Sequence, residues 1–429
     1  MRNKSCTERG DCGCPVRHTL DVQVPDLGPV IRAARVAAGL TLRSAGARIG
    51  YSASTLSRVE TGHQQPDLAM LWRLVELYGL SPSRVGLSTV TGTDNGSADG
   101  DGMRRRLLLA GVLGSAATAL LHPEPTGKPV SVAGLRARIH TAQGDYLACR
   151  YAQVTTALPG LLQDAQVLVH EAKADTKSAA WTLLAYAYRH TAWLALRLGD
   201  EGLASGMAHQ LLTAARAADD PLVAADAAQL GAVLLRRSGE PGGAAELVTG
   251  VADRLHAGLA EQADRAHAEH AAAFGGLLAA AAYTAATDSD RARAVTLYAE
   301  ATSATQGIQV PAGSLTQTAA EARFLPLYGV SIARALGDYG TAIERARAIR
   351  PETITIPERR ARYWQEVAQA WHGWGKPEAA FRAVRQVERC APQELNRPWA
   401  RQLTRELLGA PRANPLPGLR EFAARVGVT

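Results

Sequence analysis

Apolar residues recur along this chain at intervals of three and four, the period of a half-buried helix, and runs of alternating β-branched residues are missing. The densest punctuation lies at Thr41–Gly62, TLRSAGARIGYSASTLSRVETG. Thr41 is a good N-cap residue, and the helix after it stops at Gly50. Ser52 caps a second helix, whose Leu56 and Val59 are three apart and share a face; Gly62 ends it. A helix at Leu27–Ala38, closed by Gly39, precedes the pair. Another follows at Asp67–Leu77, after Pro66 and before Gly79, and a last turn begins at Ser81-Pro82. Two short helices across a Gly-containing turn predict a helix-turn-helix, whose second helix can lie in the major groove of DNA.

A slower period runs from Ser131 to Leu408. Gly199, Gly239, Gly337 and Gly375 each sit between two helical runs, in RLGDEG, RSGEPG, ALGDYG and GWGKPE. Five residues after each comes an alanine: Ala204, Ala244, Ala342 and Ala380. Apolar residues follow at the next two turns, Ala208 and Leu211, Val248 and Val251, Ala346 and Ile349, Val384 and Val387. Seven residues before each glycine stands another small residue: Ala192, Ala232, Val330 and Ala368. Small residues there let paired helices approach closely. The gap from Gly239 to Gly337 is more than twice the others, so one unit is hidden near Ala271–Gly307.

Composition agrees with an all-α fold. A chain of 429 residues has room for two or three domains, and only 5% of its residues are aromatic. The net charge is +7, but its placement matters more. Within Leu27–Gly86, Arg32, Arg35, Arg43, Arg48, Arg58, Arg73 and Arg84 face only Glu60, Asp67 and Glu76. That local surplus suits a phosphate-facing surface with salt-sensitive binding.

The turn Ile49-Gly50-Tyr51-Ser52, the run Ser54–Glu60 and Gly62 followed by Pro66 resemble the Cro/repressor-like (XRE) family of bacterial DNA-binding domains. The resemblance implies a five-helix, repressor-like headpiece. It places Ala53, Ser54 and Arg58 at base edges, and Thr41, Arg43, Ser52 and Ser57 near phosphates. Two departures stand out. Ala45 and Gly46 occupy positions where the family has a large apolar residue and then alanine, and glycine in a helix costs ~1 kcal/mol, which points to a headpiece of marginal stability. Leu42 replaces a frequent phosphate-binding glutamine, whose task would pass to Arg43.

The glycine-punctuated pattern resembles the tetratricopeptide repeat over about residues 178–410. The last unit fits best, with Trp364, Val367, Ala368, Trp371, Gly375, Ala380 and Pro392 in matching places. The whole chain is similar to actinobacterial XRE regulators with a tetratricopeptide-like C-terminal domain. The implied layout is a disordered tail at 1–26, a DNA-binding domain at 27–87, a linker at 88–130 with an apolar helix at 104–121, and an α-solenoid of helical hairpins at 131–429. The implied function is a sequence-specific transcriptional regulator that binds double-stranded DNA as a homodimer. Its repeat domain would mediate dimerisation, or sense a peptide, small molecule or protein partner. The alternative is an interaction scaffold with a vestigial headpiece, associated with a membrane through Leu107–Leu121.

Catalytic chemistry has no foothold: no His-Glu-x-x-His, P-loop, Gly-x-Ser-x-Gly or dinucleotide fingerprint occurs. No enzyme, cofactor or metal is expected. His267 and His270 are three apart and read as a solvated or packed pair; Trp181, Trp193, Trp364, Trp371 and Trp374 read as core fillers. Cys6, Cys12 and Cys14 with His18 lack the paired spacing of common zinc sites, leaving a disordered tail or a metal or redox role open. Cys149 and Cys390 fall in helical patterns and should be buried. The N-terminus has no apolar run of a signal peptide, and the cysteines form no disulfide framework, so the cytoplasm is the expected compartment. STVTGTDNGSADGDG at 88–102 is a linker by composition. Arg104–Arg106 before Leu107–Leu121 look like a twin-arginine export signal, but a folded domain upstream argues against export. Fifteen apolar residues fall short of the ~20 that span a bilayer, so two readings stand, a buried linker helix and a membrane contact.

Overall fold

The computed structural model describes residues 27–61, 63–64, 70, 73–74, 77–78, 130–259, 264–310, 314–410 and 416–428. Cys6, Cys12 and Cys14, Gly62, the turn at Ser81-Pro82, the linker 88–102 and the apolar run Leu107–Leu121 lie outside them. The chain divides into two compact units, Met1–Thr93 and Asp94–Thr429, and all regular structure among the described residues is helical.

In the first unit α1 (Leu27–Ala37), α2 (Leu42–Ile49) and α3 (Ala53–Glu60) surround one small core. Ile31, Ala45, Ile49, Leu56 and Val59 meet there with Met70 and Leu74. Of the helix predicted at Asp67–Leu77, Met70, Arg73, Leu74 and Leu77 are described, and all four are helical. α3 stops before Gly62: it ends at Glu60, where the Thr61 N–H bonds the Ser57 carbonyl at 3.0 Å.

The second unit is an array of antiparallel hairpins. α4 (Val132–Leu147) pairs with α5 (Tyr151–Glu171), α6 (Lys177–Arg197) with α7 (Glu201–Ala218), and α8 (Pro221–Arg237) with α9 (Pro241–Gly258). α10 (Asp264–Thr287) pairs with α11 (Arg291–Ala304). After the short α12 (Gln317–Glu321), α13 (Leu325–Ala335) pairs with α14 (Tyr339–Arg347), and α15 (Pro357–Gly373) with α16 (Pro377–Cys390). α17 (Pro398–Gly409) and α18 (Leu419–Arg425) follow. No described helix is long and apolar enough to cross a membrane.

One device makes every hairpin turn. The first helix ends on a left-handed residue: Cys149, Gly199, Gly239, Ser289, Gly337 or Gly375. The next residue's N–H reaches back to the carbonyl five positions earlier at 2.8–2.9 Å, and the left-handed residue's own N–H reaches back three, at 2.9–3.3 Å. This pair of bonds satisfies carbonyls that the helix end would leave open. Counted from the turn residue, position −7 is Ala142, Ala192, Ala232, Ala282, Val330 or Ala368, and position +5 is Val154, Ala204, Ala244, Ala294, Ala342 or Ala380; all are buried. Small side chains there set the interhelical distance, and a larger one would overpack at about 1–3 kcal/mol.

The hidden unit is therefore α10–α11, with Ser289 in the glycine's place, and the pattern begins earlier than residue 178, at the Cys149 turn. A non-glycine residue in this conformation is strained by about 1–2 kcal/mol. Ser289 is exposed and its hydroxyl makes no bond that glycine would lose among the described residues. Ser289→Gly is expected to stabilise the second unit by about 1 kcal/mol, read as a higher urea midpoint with unchanged slope.

The array curls until its ends meet. α4 packs on α15, and one core cluster spans residues from Leu135 to Val428. Arg197 on α6 donates to Glu394 at 2.5 Å and to Glu358, and the Tyr151 hydroxyl donates to Glu394. Trp181, Trp193, Trp364 and Trp371 pack partly buried against this core. Trp374 does not fill it: it is 46% exposed and stacks on Trp371, centroids 5.4 Å apart. Cys149 is buried, whereas Cys390 is only half-buried.

Candidate nucleic-acid interface

The helix pair α2–α3 is built by its caps. Thr41 Oγ1 accepts from the Ser44 N–H at 3.1 Å, and Ser44 Oγ accepts from the Thr41 N–H at 3.1 Å, a reciprocal capping box. Ser52 Oγ accepts from the Thr55 N–H at 3.0 Å. Between the helices Gly50 adopts a left-handed φ of 76° and Tyr51 donates to the Gly46 carbonyl at 2.9 Å. A Cβ on Gly46 would lie 2.6 Å from the Tyr51 carbonyl oxygen. The residue that reads as a weakness in the helix is thus what lets the turn close against α2.

Two arginines of the charge surplus are spent inside the unit. Arg35 grips the buried Glu60 with both arms of its fork, Nε to Oε1 at 2.6 Å and Nη2 to Oε2 at 2.8 Å, and also donates to the Leu40 carbonyl. Its hydrogen bond to Glu60 raises its pKa, so the pair is a charged lock of α3 onto α1. Arg73 donates to the Ile49 carbonyl at 2.7 Å and lies over the Tyr51 ring. Arg43, Arg48 and Arg58 are exposed and form no ion pair with a described residue.

α3 presents a distinct outer face. Leu56, Val59 and Glu60 are buried on the inner one. Ser54 and Arg58, one helical turn apart, are exposed on the opposite side, flanked by half-buried Ala53 and Ser57. Ser54 and Arg58, two of the residues the resemblance assigns to base reading, therefore share the exposed face, with Ala53 at its edge. Of the predicted phosphate residues, Arg43 is exposed in the first turn of α2, while the Thr41 and Ser52 side chains already cap their helices. Leu42 packs on the core instead of facing outward. Arg48, at the exposed end of α2, adds a cation that the sequence registered only as charge.

The second unit gives the other candidate residues plain roles. His267 is exposed and its Nδ1 bonds the Leu259 carbonyl at 3.0 Å, whereas His270 is buried. Among the described residues no three His, Cys, Asp or Glu side chains are grouped to hold a metal ion.

A family model described as a helix-turn-helix domain matches residues 26–86, which contain α1, α2 and α3. No curated protein and no solved structure matches the chain. The N-terminal unit carries a helix-turn-helix domain, the architecture of a DNA-binding module.

Proposed function

We propose that the chain is a sequence-specific transcriptional regulator of the Cro/repressor-like class, reading double-stranded DNA with α3. The observation that carries this is the exposed Ser54–Arg58 face on a helix whose other side is locked by Leu56, Val59 and the Arg35–Glu60 pair. An outward arginine on such a helix can engage guanine O6 and N7 together, worth ~1–3 kcal/mol of discrimination. Arg43 and Arg48 supply backbone contacts, and Ala53, Ser52, Ser57 and Thr41 complete the proposed surface. One such headpiece covers little DNA, so the active species is a homodimer on two-fold sites about one helical turn apart. The second unit is a tetratricopeptide-like array that holds the dimer together and senses an effector. Its constant spacing of turn residue, small residue and apolar residue supports that reading.

Selection of bound sites from a random DNA pool, with the full-length protein, is the direct test. Arg58→Ala is expected to relax specificity at one base pair per half-site. Arg43→Ala should weaken all sites alike and lower the salt slope by about one. An Arg58→Ala protein that ranked operator variants as the parent does would sink the α3 reading, and light scattering that found a monomer on DNA would sink the dimer.

A further inference from the structure

Inside the curled array lies a cavity of about 610 Å³, within the range of small-molecule sites. Its wall draws chiefly on α6, α8, α10, α12, α13 and α15, with Tyr146 from α4 and Arg397 from just before α17. The wall is aromatic and cationic together. Trp193, Tyr283, Phe324 and Tyr328 supply flat apolar surface.

The charges do not balance. Arg197 engages Glu358 and Glu394, and Arg397 shares Glu394 at 3.1 Å. Arg359 engages Glu321, while Arg334 and Arg362 share Glu366. Arg236 lines the cavity with no carboxylate partner among the described residues: it donates to Thr284 Oγ1 at 2.8 Å and lies 5.4 Å over the Tyr283 ring. With Arg237, which lines the cavity and pairs with Glu201, seven guanidinium groups thus stand on or behind this wall against five carboxylates. Burial, with the like charge of Arg362, pushes the Arg236 pKa down, the sign of a cation short of counter-charge. Nearby, Arg359 Nε and Glu358 Oε2 face each other at 3.4 Å without a hydrogen bond.

We infer that this cavity binds a small organic anion with a flat, aromatic body, its carboxylate or phosphate seated on Arg236 and its ring against Tyr283 and Tyr328. A guanidinium fork pairs such an oxyanion with two parallel bonds, and a desolvated site strengthens them. An extended peptide is a poor occupant, because a cavity of about 610 Å³ matches a small molecule rather than a length of chain. The inference deepens the effector reading above and rests on it for its biological meaning, but its test needs no DNA.

The probe is anilinonaphthalene sulfonate, an aromatic anion that fluoresces when shielded from water, titrated into the full-length protein. Its uncharged parent, phenylnaphthylamine, is the comparison. The expected result is one dye per chain, bound ~10-fold or more tighter than the uncharged parent, as hydrogen bonds to a charged group predict. Arg236→Gln should remove that preference, and Arg236→Lys, which keeps charge but loses the fork, should retain part of it; circular dichroism checks that each variant is folded. Competition by benzoate and by phenyl phosphate separates the two oxyanions. Equal binding of both dyes, an undiminished preference in a folded Arg236→Gln or Arg236→Lys protein, or displacement by neither competitor would overturn the inference. A protein that selected operators but showed no anion preference would refute the cavity and leave the regulator reading standing.

Discussion

Replacing Asp226 with alanine is expected to cost the second unit about 3–5 kcal/mol, a large share of a domain's usual reserve of about 5–15 kcal/mol. Asp226 on α8 and Arg189 on α6 are both completely buried and hydrogen-bonded to each other. The guanidinium lies 4.5 Å over the Tyr186 ring and also donates to the Leu315 carbonyl at 2.7 Å. The carboxylate accepts from the Thr318 N–H and hydroxyl at 2.7 and 2.6 Å, and from the Gln317 N–H at 3.0 Å. Burial and the adjacent guanidinium hold His190 well below its ordinary pKa, so its Nε2 can accept from Arg189 at 3.1 Å. One carboxylate therefore anchors α12 and the segment before it to two hairpins. Without it a buried cation and two backbone donors lose their acceptor. The double variant Arg189→Met with Asp226→Leu should recover part of the loss, since it removes the stranded charge but not the stranded N–H groups. Urea unfolding measures both, and a loss below ~1 kcal/mol for Asp226→Ala would show that α12 is held by other contacts.

Short-range features were legible in the chain before the structure; long-range charge pairings were not. The caps Thr41 and Ser52 and the inward Leu56 and Val59 follow from local chemistry, and all four do what their residue types imply. Small residues flanking Gly199, Gly239, Gly337 and Gly375 located four hairpin turns, because glycine marks a left-handed residue. Cys149 and Ser289 make the same turn without that mark, so the α4–α5 hairpin and the hidden unit escape a search for glycine. The −7 and +5 positions around them carry the same small or apolar residues, and that spacing is the signal that could have found them.

Charge is harder to read. Arg35 counts as a phosphate-facing cation until Glu60, 25 residues away, is seen to neutralise it. Arg197 and Glu394 are 197 residues apart, and nothing in either neighbourhood announces the other. Trp374 reads as a core filler yet lies 46% exposed, stacked on Trp371. At the candidate interface the exposure of Ser54 and Arg58 follows from the inward spacing of Leu56 and Val59, and the same hydroxyls of Thr41 and Ser52 that the sequence marks as caps are engaged in capping.

Gly46→Val is expected to abolish most operator binding while leaving the second unit intact. A Cβ at this position would stand 2.6 Å from the Tyr51 carbonyl oxygen, 3.3 Å from the Ser52 carbonyl carbon and 3.4 Å from the Ala53 nitrogen. All three are backbone atoms of the turn and the first turn of α3, so no rotamer change relieves the clash. The turn must open, and it carries the Ser52 cap and the Ser54–Arg58 face with it. Overpacking of this kind costs about 1–3 kcal/mol, and a unit of this size has little stability to lose. Even 1–2 kcal/mol changes the folded-to-unfolded ratio of a marginal domain ~5–30-fold, and displacement of α3 adds to that. Ala47→Val is the control: it adds the same branched side chain one residue on, at an exposed position of the same helix. Fluorescence anisotropy on an operator recovered by selection reads affinity, and circular dichroism of the full chain reads the helices of the second unit. Parent-like affinity in Gly46→Val would mean that the close approach of α2 to the turn does not set the position of the reading helix.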